Sequence, residues 1–157
     1  MLTKSILLAI LLGCLFVSCD YGSNTIALQS DALPPTFKLD GSDKVQWIWV
    51  QGPYQNASQP APKLPAPDDP KKIIIWKVVP GGDFVPLKDI PPVTYGQLPN
   101  GWKQEIPQAG SPPPLLDGYV YHFHAVLLRG TVPTFCVYVK GGQVEPYKEQ
   151  DPNSPCK

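Results

Sequence analysis

The two histidines of the chain, His122 and His124, are the side chains best suited by type and spacing to hold a metal ion. They stand two residues apart in an apolar segment, so in a β-strand both imidazoles project from the same face. Two such rings bind Zn²⁺ or Cu²⁺ when further ligands join them, and Cys136 in the next apolar segment is one candidate. A closed zinc site needs four ligands, however, and the sequence has no closely spaced Cys or His pair elsewhere. We therefore predict no metal and no cofactor, with the histidines on the face opposite the core. The predicted core face of the segment consists of Tyr119, Tyr121, Phe123 and Ala125.

Catalytic motifs are absent from the sequence. It contains no Gly-x-Ser-x-Gly, no His-Glu-x-x-His and no glycine-rich phosphate loop. Beyond the two histidines there is no imidazole that could act as a general base. The 13 basic and 13 acidic side chains balance, which argues against nucleic acid as a partner. We predict a non-catalytic binding or structural module rather than an enzyme; the alternative is a small hydrolase or metal-handling protein that uses His122 and His124.

The segment from Tyr95 to Trp102 places two aromatic side chains among turn-forming residues. Aromatic rings on loops are common anchors for partner proteins, and the flat faces of sugars stack on them. Tyr95 and Trp102 are therefore candidate binding residues, for a protein or a glycan. The alternative is that Trp102 folds back onto the core, because large aromatic side chains are usually buried. We expect the buried outcome for Trp102, and also for Trp47, which in a regular strand shares a face with Val45 and Trp49.

The N-terminus has the pattern of a secretory signal. Lys4 precedes an apolar stretch that ends at Ser18, too short for a transmembrane helix of about 20 residues. Its last residues, Leu15-Phe16-Val17-Ser18-Cys19, resemble the lipobox of bacterial lipoproteins. In that family the signal is cut before the cysteine, whose sulfur then carries a diacylglyceryl group.

The resemblance implies an anchor of fatty acyl chains such as palmitate at Cys19. It places the protein on the cell membrane or outer membrane, with the domain outside the cytoplasm and a partner among envelope proteins or glycans. Leu11-Leu12-Gly13-Cys14 matches the consensus better, but it leaves an apolar core at the short limit. We favour Cys19; an ordinary secretory signal with an incidental cysteine is the remaining alternative.

The four cysteines are consistent with that processing. Cleavage before Cys19 removes Cys14, and lipidation occupies Cys19. Cys136 and Cys156 remain, an even number in an oxidising compartment, which predicts one disulfide. Such a bridge closes a loop of about 20 residues and stabilises the fold by ~3 kcal/mol in the chain-entropy model.

The elements that must position these residues read as short strands joined by proline-rich connections. Proline interrupts most windows in which a helix could form, and no convincing helical stripe is present. Strong β-formers bounded by turn residues predict several short strands, as in a β-sandwich or barrel. The predicted strands are 45–50, 73–79, 84–87, 119–128 and 134–139.

The segment from Leu115 to Val126 resembles the penultimate strand of fibronectin type III-like domains. That family has a leucine six residues before a tyrosine, as Leu115 stands before Tyr121, with a glycine-containing turn between them. The resemblance implies an all-β, immunoglobulin or fibronectin type III-like β-sandwich, and a corner hydrogen bond from Tyr121 to the backbone just upstream. The predicted organisation is a signal peptide at 1–18, a lipidated tether at 19–33, the sandwich at 34–146 and a polar tail at 147–157.

Overall fold

The computed structural model describes residues 24–55, 74–131 and 134–147. Two antiparallel sheets pack together in an all-β sandwich, which confirms the predicted fold class. The strands are β1 Thr25–Ser30, β2 Thr36–Asp40, β3 Lys44–Gln55, β4 Ile74–Pro80, β5 Val85–Pro86, β6 Val93–Thr94, β7 Trp102–Ile106, β8 Tyr119–Leu127, β9 Gly130–Thr131, β10 Phe135–Lys140 and β11 Gln143–Pro146. A 3-10 turn covers Leu87–Asp89. In these ranges no helix has the length and apolar character to cross a membrane.

The smaller sheet has the strand order β1-β2-β6, and the larger has the order β11-β10-β8-β3-β4-β7. The short strands β5 and β9 pair with β3 and β8 respectively. At the centre of the larger sheet lie β3 and β8, whose β-branched and aromatic residues suit a pleated, half-buried surface. The predicted strands near 45–50, 73–79, 119–128 and 134–139 correspond to β3, β4, β8 and β10.

The hydrophobic core lies between the two sheets. Tyr121, Phe123 and Ala125 of β8 are buried in it, and Tyr119 packs against it half-buried, so the predicted core face of β8 is confirmed. On the smaller sheet, alternate residues of β2 point inward, and the ring centroid of Phe37 lies 3.8 Å from that of Phe123. The alternation of buried and half-buried residues along β8 is the period-2 pattern of a strand with one face on the core.

A β-bulge near the start of β3 changes which residues face the core. The pairing of β3 with β8 shifts register between Val45 and Trp47, so one extra residue is accommodated there. Val45, Ile48 and Val50 are buried in the core, whereas Trp47 and Trp49 are half-buried on the outer face of the sheet. The prediction that Val45, Trp47 and Trp49 share a face, with Trp47 in the core, is therefore wrong, because strict alternation fails at a bulge.

The predicted domain boundary is also wrong in part. Residues 25–30 of the predicted tether form β1, which pairs with β2, and Ile26 and Leu28 pack against the core. These residues alternate apolar and polar, which is the half-buried strand pattern. The signal peptide with Cys14, the lipid site Cys19, the proline-rich connection 56–73 and the tail with Cys156 lie outside the described residues, so the predictions made for them stand as predictions.

The two ends of the sandwich differ in which chain segments meet there. At one end β1 and β3 begin and β8 finishes, because Val45 pairs with Leu127 and Thr25 pairs with Asp40. We call this the tether end. At the opposite end, the far end, β8 begins and Tyr119 pairs with Gln55.

Candidate functional site

The outer face of the larger sheet carries a row of aromatic and imidazole side chains. We call this row the aromatic face, and its members are Trp47, Trp49, Tyr54, His122 and His124. The register of β3 with β8 sets Trp49 directly opposite His124 and Gln51 opposite His122. Directly opposed residues of antiparallel strands have side chains on the same face. The alternation of β8 and two register shifts of β3, one before Trp47 and one between Gln51 and Tyr54, therefore assemble the row.

The rings form a continuous chain of contacts across the two strands. His124 meets Trp49 edge-on with centroids 5.7 Å apart, and His122 stacks on Tyr54 at 4.2 Å with an interplanar angle of 19°. Trp47 and Trp49 lie 6.2 Å apart, and the two histidines 6.1 Å apart. These are the offset and edge-to-face separations at which aromatic rings attract each other.

Three buried nitrogens on the aromatic face have no hydrogen-bond partner within the part of the chain that the structure describes: Trp47 Nε1, Trp49 Nε1 and His124 Nε2. The core tryptophan contrasts with them, since Trp76 Nε1 donates to Gln104 Oε1 at 3.1 Å. A buried polar group left unpaired costs ~1–3 kcal/mol, so native structures carry few of them. Three such nitrogens lie on the aromatic face, so a partner from outside the described residues that bonded them would stabilise the protein.

The aromatic face is electrically almost neutral. Burial lowers the pKa of His122 to about 4, and burial together with the nearby His122 lowers the pKa of His124 to about 4. Burial also raises the pKa of the Tyr54 hydroxyl to about 12. Both imidazoles are therefore uncharged at neutral pH, and each offers one donor and one acceptor nitrogen. The Nδ1 atom of His124 is already engaged with Thr134 Oγ1 at 3.0 Å, which leaves Nε2 as its free position.

One cation borders the face. Lys77 Nζ lies 5.1 Å from the centroid of the Trp47 ring, within the range of a cation–π contact. The same ammonium forms an ion pair with Glu105 Oε2 at 2.6 Å, which compensates its charge. This edge of the face therefore adds a polar border and little net charge.

The described residues do not provide a set of ligands for a metal ion at His122 and His124. Cys136 pairs with His122 across β10 and β8, and is buried. Among residues 24–55, 74–131 and 134–147, however, no group of three or more His, Cys, Asp or Glu side chains is arranged to hold an ion.

Tyr95 and Trp102, the predicted binding residues, lie in the core. Tyr95 is 5% exposed and its hydroxyl donates to Pro113 O at 2.7 Å, while its ring packs edge-on against Trp76. Trp102, the first residue of β7, is 8% exposed. The hypothesis that they are exposed anchors is wrong, and the buried alternative for Trp102 is correct. The physical reason is that the loop between them crosses from the smaller sheet to the larger one, so both flanking aromatics point into the space between the sheets.

The remaining exposed edge of Tyr95 lines a pocket of about 340 Å³. Leu33, Pro34, Pro112 and Leu115 form much of its wall. Its lining is predominantly apolar, and the Tyr95 hydroxyl is already paired with a backbone carbonyl. The pocket can therefore accept a small apolar group, but it offers few polar atoms that would orient one.

The chain matches no family model, no curated protein and no solved structure. Sequence reasoning identified the two histidines of the aromatic face but missed Trp47, Trp49 and Tyr54 as their companions. One signal in the sequence could have indicated this grouping. Trp47 and Trp49 stand two residues apart in one predicted strand, and His122 and His124 have the same spacing in another. Two register shifts of β3 bring them to one face, one between Val45 and Trp47 and one between Gln51 and Tyr54, and strict alternation predicts neither.

Proposed function

We propose that this protein is a lipid-anchored component of the bacterial cell envelope whose β-sandwich binds a ligand without catalysis. The observation that carries the proposal is the set of three buried nitrogens on one aromatic surface, none of which has a partner among the described residues. A ligand that offers oxygen atoms to the indole N–H groups of Trp47 and Trp49 regains part of the ~1–3 kcal/mol that each unpaired group costs. The lipobox-like residues that end at Cys19 support the location.

The ligand class that best fits the aromatic face is an uncharged glycan. Half-buried indole rings present flat apolar surface, on which the C–H face of a pyranose stacks. Sugar hydroxyls both donate and accept hydrogen bonds, which matches the indole donors and the Nε2 atom of His124. The described residues of the face include neutral histidines and a lysine whose charge is paired, so among them there is no unpaired charge that would select an ionic ligand.

Titration of the mature chain carrying Cys19→Ser with neutral envelope oligosaccharides, followed by calorimetry, tests the binding proposal. We expect Trp49→Ala to weaken binding at least tenfold, because it removes a stacking surface and an indole donor. The matched control is Lys38→Ala, since Lys38 is exposed on the outer face of the smaller sheet. Unchanged affinity in both Trp49→Ala and His124→Gln would exclude the aromatic face as the site. If an envelope protein binds saturably and glycans do not, the proposal of a binding module stands and the proposed ligand class is wrong.

Metabolic labelling with a fatty acid tests the anchor separately. Wild-type protein should incorporate label and partition into detergent, and Cys19→Ser should do neither. Cys14→Ser is the matched control and should label normally, because the proposed cleavage removes Cys14. If labelling instead requires Cys14, the lipid is attached at Cys14 and the tether is five residues longer than proposed.

The alternative function, a small hydrolase or metal-handling lipoprotein, depends on His122 and His124. It predicts an activity or a metal affinity that disappears in His122→Gln or His124→Gln while the fold stays intact by circular dichroism. Neutral imidazole is the form that ligates metals, and the contact of His124 Nδ1 with Thr134 leaves Nε2 as the nitrogen that would bind one.

A further inference from the structure

The tether end of the sandwich holds the start of the described chain in place. The side-chain oxygen of Asn24 accepts a hydrogen bond from Asp43 N at 3.4 Å. Asp43 in turn accepts hydrogen bonds from Arg129 N at 3.1 Å, through its carboxylate, and from Leu87 N at 2.9 Å, through its carbonyl. Three other segments of the fold therefore converge on Asp43, and the described chain enters the sandwich at this point.

The distance from this point to the proposed lipid is short. Four residues separate Cys19 from Asn24, and a fully extended chain covers at most about 3.6 Å per residue, so the two lie within about 18 Å of each other. The nine residues of β8 span about 30 Å between the ends of the sandwich. A lipid on Cys19 therefore keeps the tether end close to the bilayer, whereas an upright sandwich holds the far end well above it.

Two of the exposed large apolar side chains lie at the tether end. Phe84 is 43% exposed and Leu128 is 47% exposed. They flank the start of β3 on opposite sides, since Phe84 precedes Val85, which pairs with Val45, and Leu128 N donates to Lys44 O at 2.9 Å. Apolar side chains presented toward a membrane gain free energy by entering the interface, and a covalent lipid removes most of the entropic cost of that contact.

The charges around this end favour an apolar contact over an electrostatic one. The charged side chains at this end balance in number: the basic ones are Lys44, Lys88, Lys103 and Arg129, and the acidic ones are Asp40, Asp43, Asp83 and Asp89. Attraction to anionic lipid would need an excess of basic residues near the surface, which this end does not provide within the described residues.

From these observations we infer that Phe84 and Leu128 insert into the lipid bilayer beside the anchor and hold the sandwich with its tether end on the membrane. The inference rests on the lipid anchor at Cys19 in the proposed function. It adds a second, non-covalent contact with the membrane and assigns the two side chains that make it.

The test compares two leucines of the wild-type protein that have nearly equal exposure and lie at opposite ends of β8, and it then uses two substitutions as controls. Leu128 is 47% exposed at the tether end, and Leu116 is 48% exposed at the far end. The acylated mature protein, with its leucine methyl groups labelled, is bound to phosphatidylcholine nanodiscs that contain a lipid with a nitroxide near the top of its acyl chain. We expect the Leu128 methyl signals to be broadened at least threefold more than those of Leu116. Phe84→Ser should reduce that broadening, and Leu33→Ser at the far end should leave it unchanged.

The outcomes separate the two proposals. Protein that is acylated and bound to the nanodisc, but with equal broadening at Leu128 and Leu116, overturns the inserted contact and leaves the anchor standing. Stronger broadening at Leu116 overturns the orientation as well. Protein that carries no lipid on Cys19 and does not bind the nanodisc overturns the proposed function and this inference with it.

Discussion

The backbone N–H of Leu116 donates a hydrogen bond to the hydroxyl of Tyr121 at 2.7 Å. The ring of Tyr121 is buried between the sheets, so its hydroxyl reaches from the core back to the chain entering β8. A second bond, from Gly118 N to Val139 O at 2.8 Å, ties the same turn to β10. This is the corner bond that the resemblance to fibronectin type III-like domains implies for Tyr121; the resemblance of the whole domain stays a prediction.

Removal of the Tyr121 hydroxyl should destabilise the sandwich. Tyr121→Phe leaves the partly buried Leu116 N–H without its acceptor, which costs ~1–2 kcal/mol. Tyr119→Phe is the matched control, because Tyr119 lies on the same strand and packs only partly against the core. Urea denaturation should show the lower midpoint in Tyr121→Phe alone. Equal midpoints in the two variants would mean that the corner bond contributes nothing measurable.

A glycine in β3 has to stay a glycine because of the same tyrosine. Gly52 has φ +143°, and a Cβ placed on it would lie 2.5 Å from Tyr121 Cδ1. Gly118 also has a positive φ, +82°, but a Cβ there meets nothing within 4 Å. We expect Gly118→Ala to cost ~1–2 kcal/mol for its backbone conformation, and Gly52→Ala to cost roughly 1–3 kcal/mol more for the steric overlap. Denaturation of both variants measures the difference, and a smaller loss at Gly52 would contradict the packing.

The sequence predicts the central strands well because their side chains alternate or run apolar over many residues. The buried face of β8 could be assigned residue by residue for this reason. The short strands β2, β6, β7, β9 and β11 and the edge strand β1 were not predicted, because two to six residues of mixed polarity carry little periodicity. Their pairing is decided by partners distant in the chain, as when Phe37 pairs with Val93.

The candidate site was less predictable than the fold. His122 and His124 could be placed on the outer face from alternation alone. The position of Trp47 beside them depends on a single extra residue in β3, and a one-residue shift reverses every later side chain. The burial of Tyr95 depends on the path of the loop between the two sheets, which local composition does not indicate.

Two tryptophan substitutions separate the core from the aromatic face. Trp102→Ala removes a side chain buried in the core and should cost ~3–5 kcal/mol. Trp47→Ala removes a half-buried ring from the outer face together with an indole N–H that has no partner among the described residues, so we expect less than half of that loss. Chemical denaturation compares the two. A larger loss in Trp47→Ala would mean that the outer face is part of the structural core.

The disulfide prediction is tested by mass spectrometry of protein purified without reductant. We expect a peptide that joins Cys136 to Cys156. Reduction should lower the thermal midpoint, since the bridge is worth ~3 kcal/mol in the chain-entropy model. Free thiols at both positions in protein taken from the envelope would exclude the bridge.

The stability of the protein should depend on pH through its two histidines. Both have a pKa near 4 in the folded protein because burial disfavours their charged form, whereas the unfolded chain titrates near 6.5. Above about pH 7.5 neither state binds an appreciable number of these protons, so the histidine contribution is complete. Between pH 6.5 and 4 the unfolded state binds more protons, and the free energy of unfolding falls with pH by up to ~1.4 kcal/mol per unit for each histidine.

The double variant His122→Gln, His124→Gln isolates this effect from the carboxylates that titrate in the same range. Urea denaturation of both proteins at several pH values should show a stability difference that is constant above about pH 7.5. The wild type should then lose on the order of a few kcal/mol relative to the variant as the pH falls to 4. The single variants should each lose part of that dependence. A difference that stays flat across the whole range would mean that the imidazoles are not desolvated on the aromatic face.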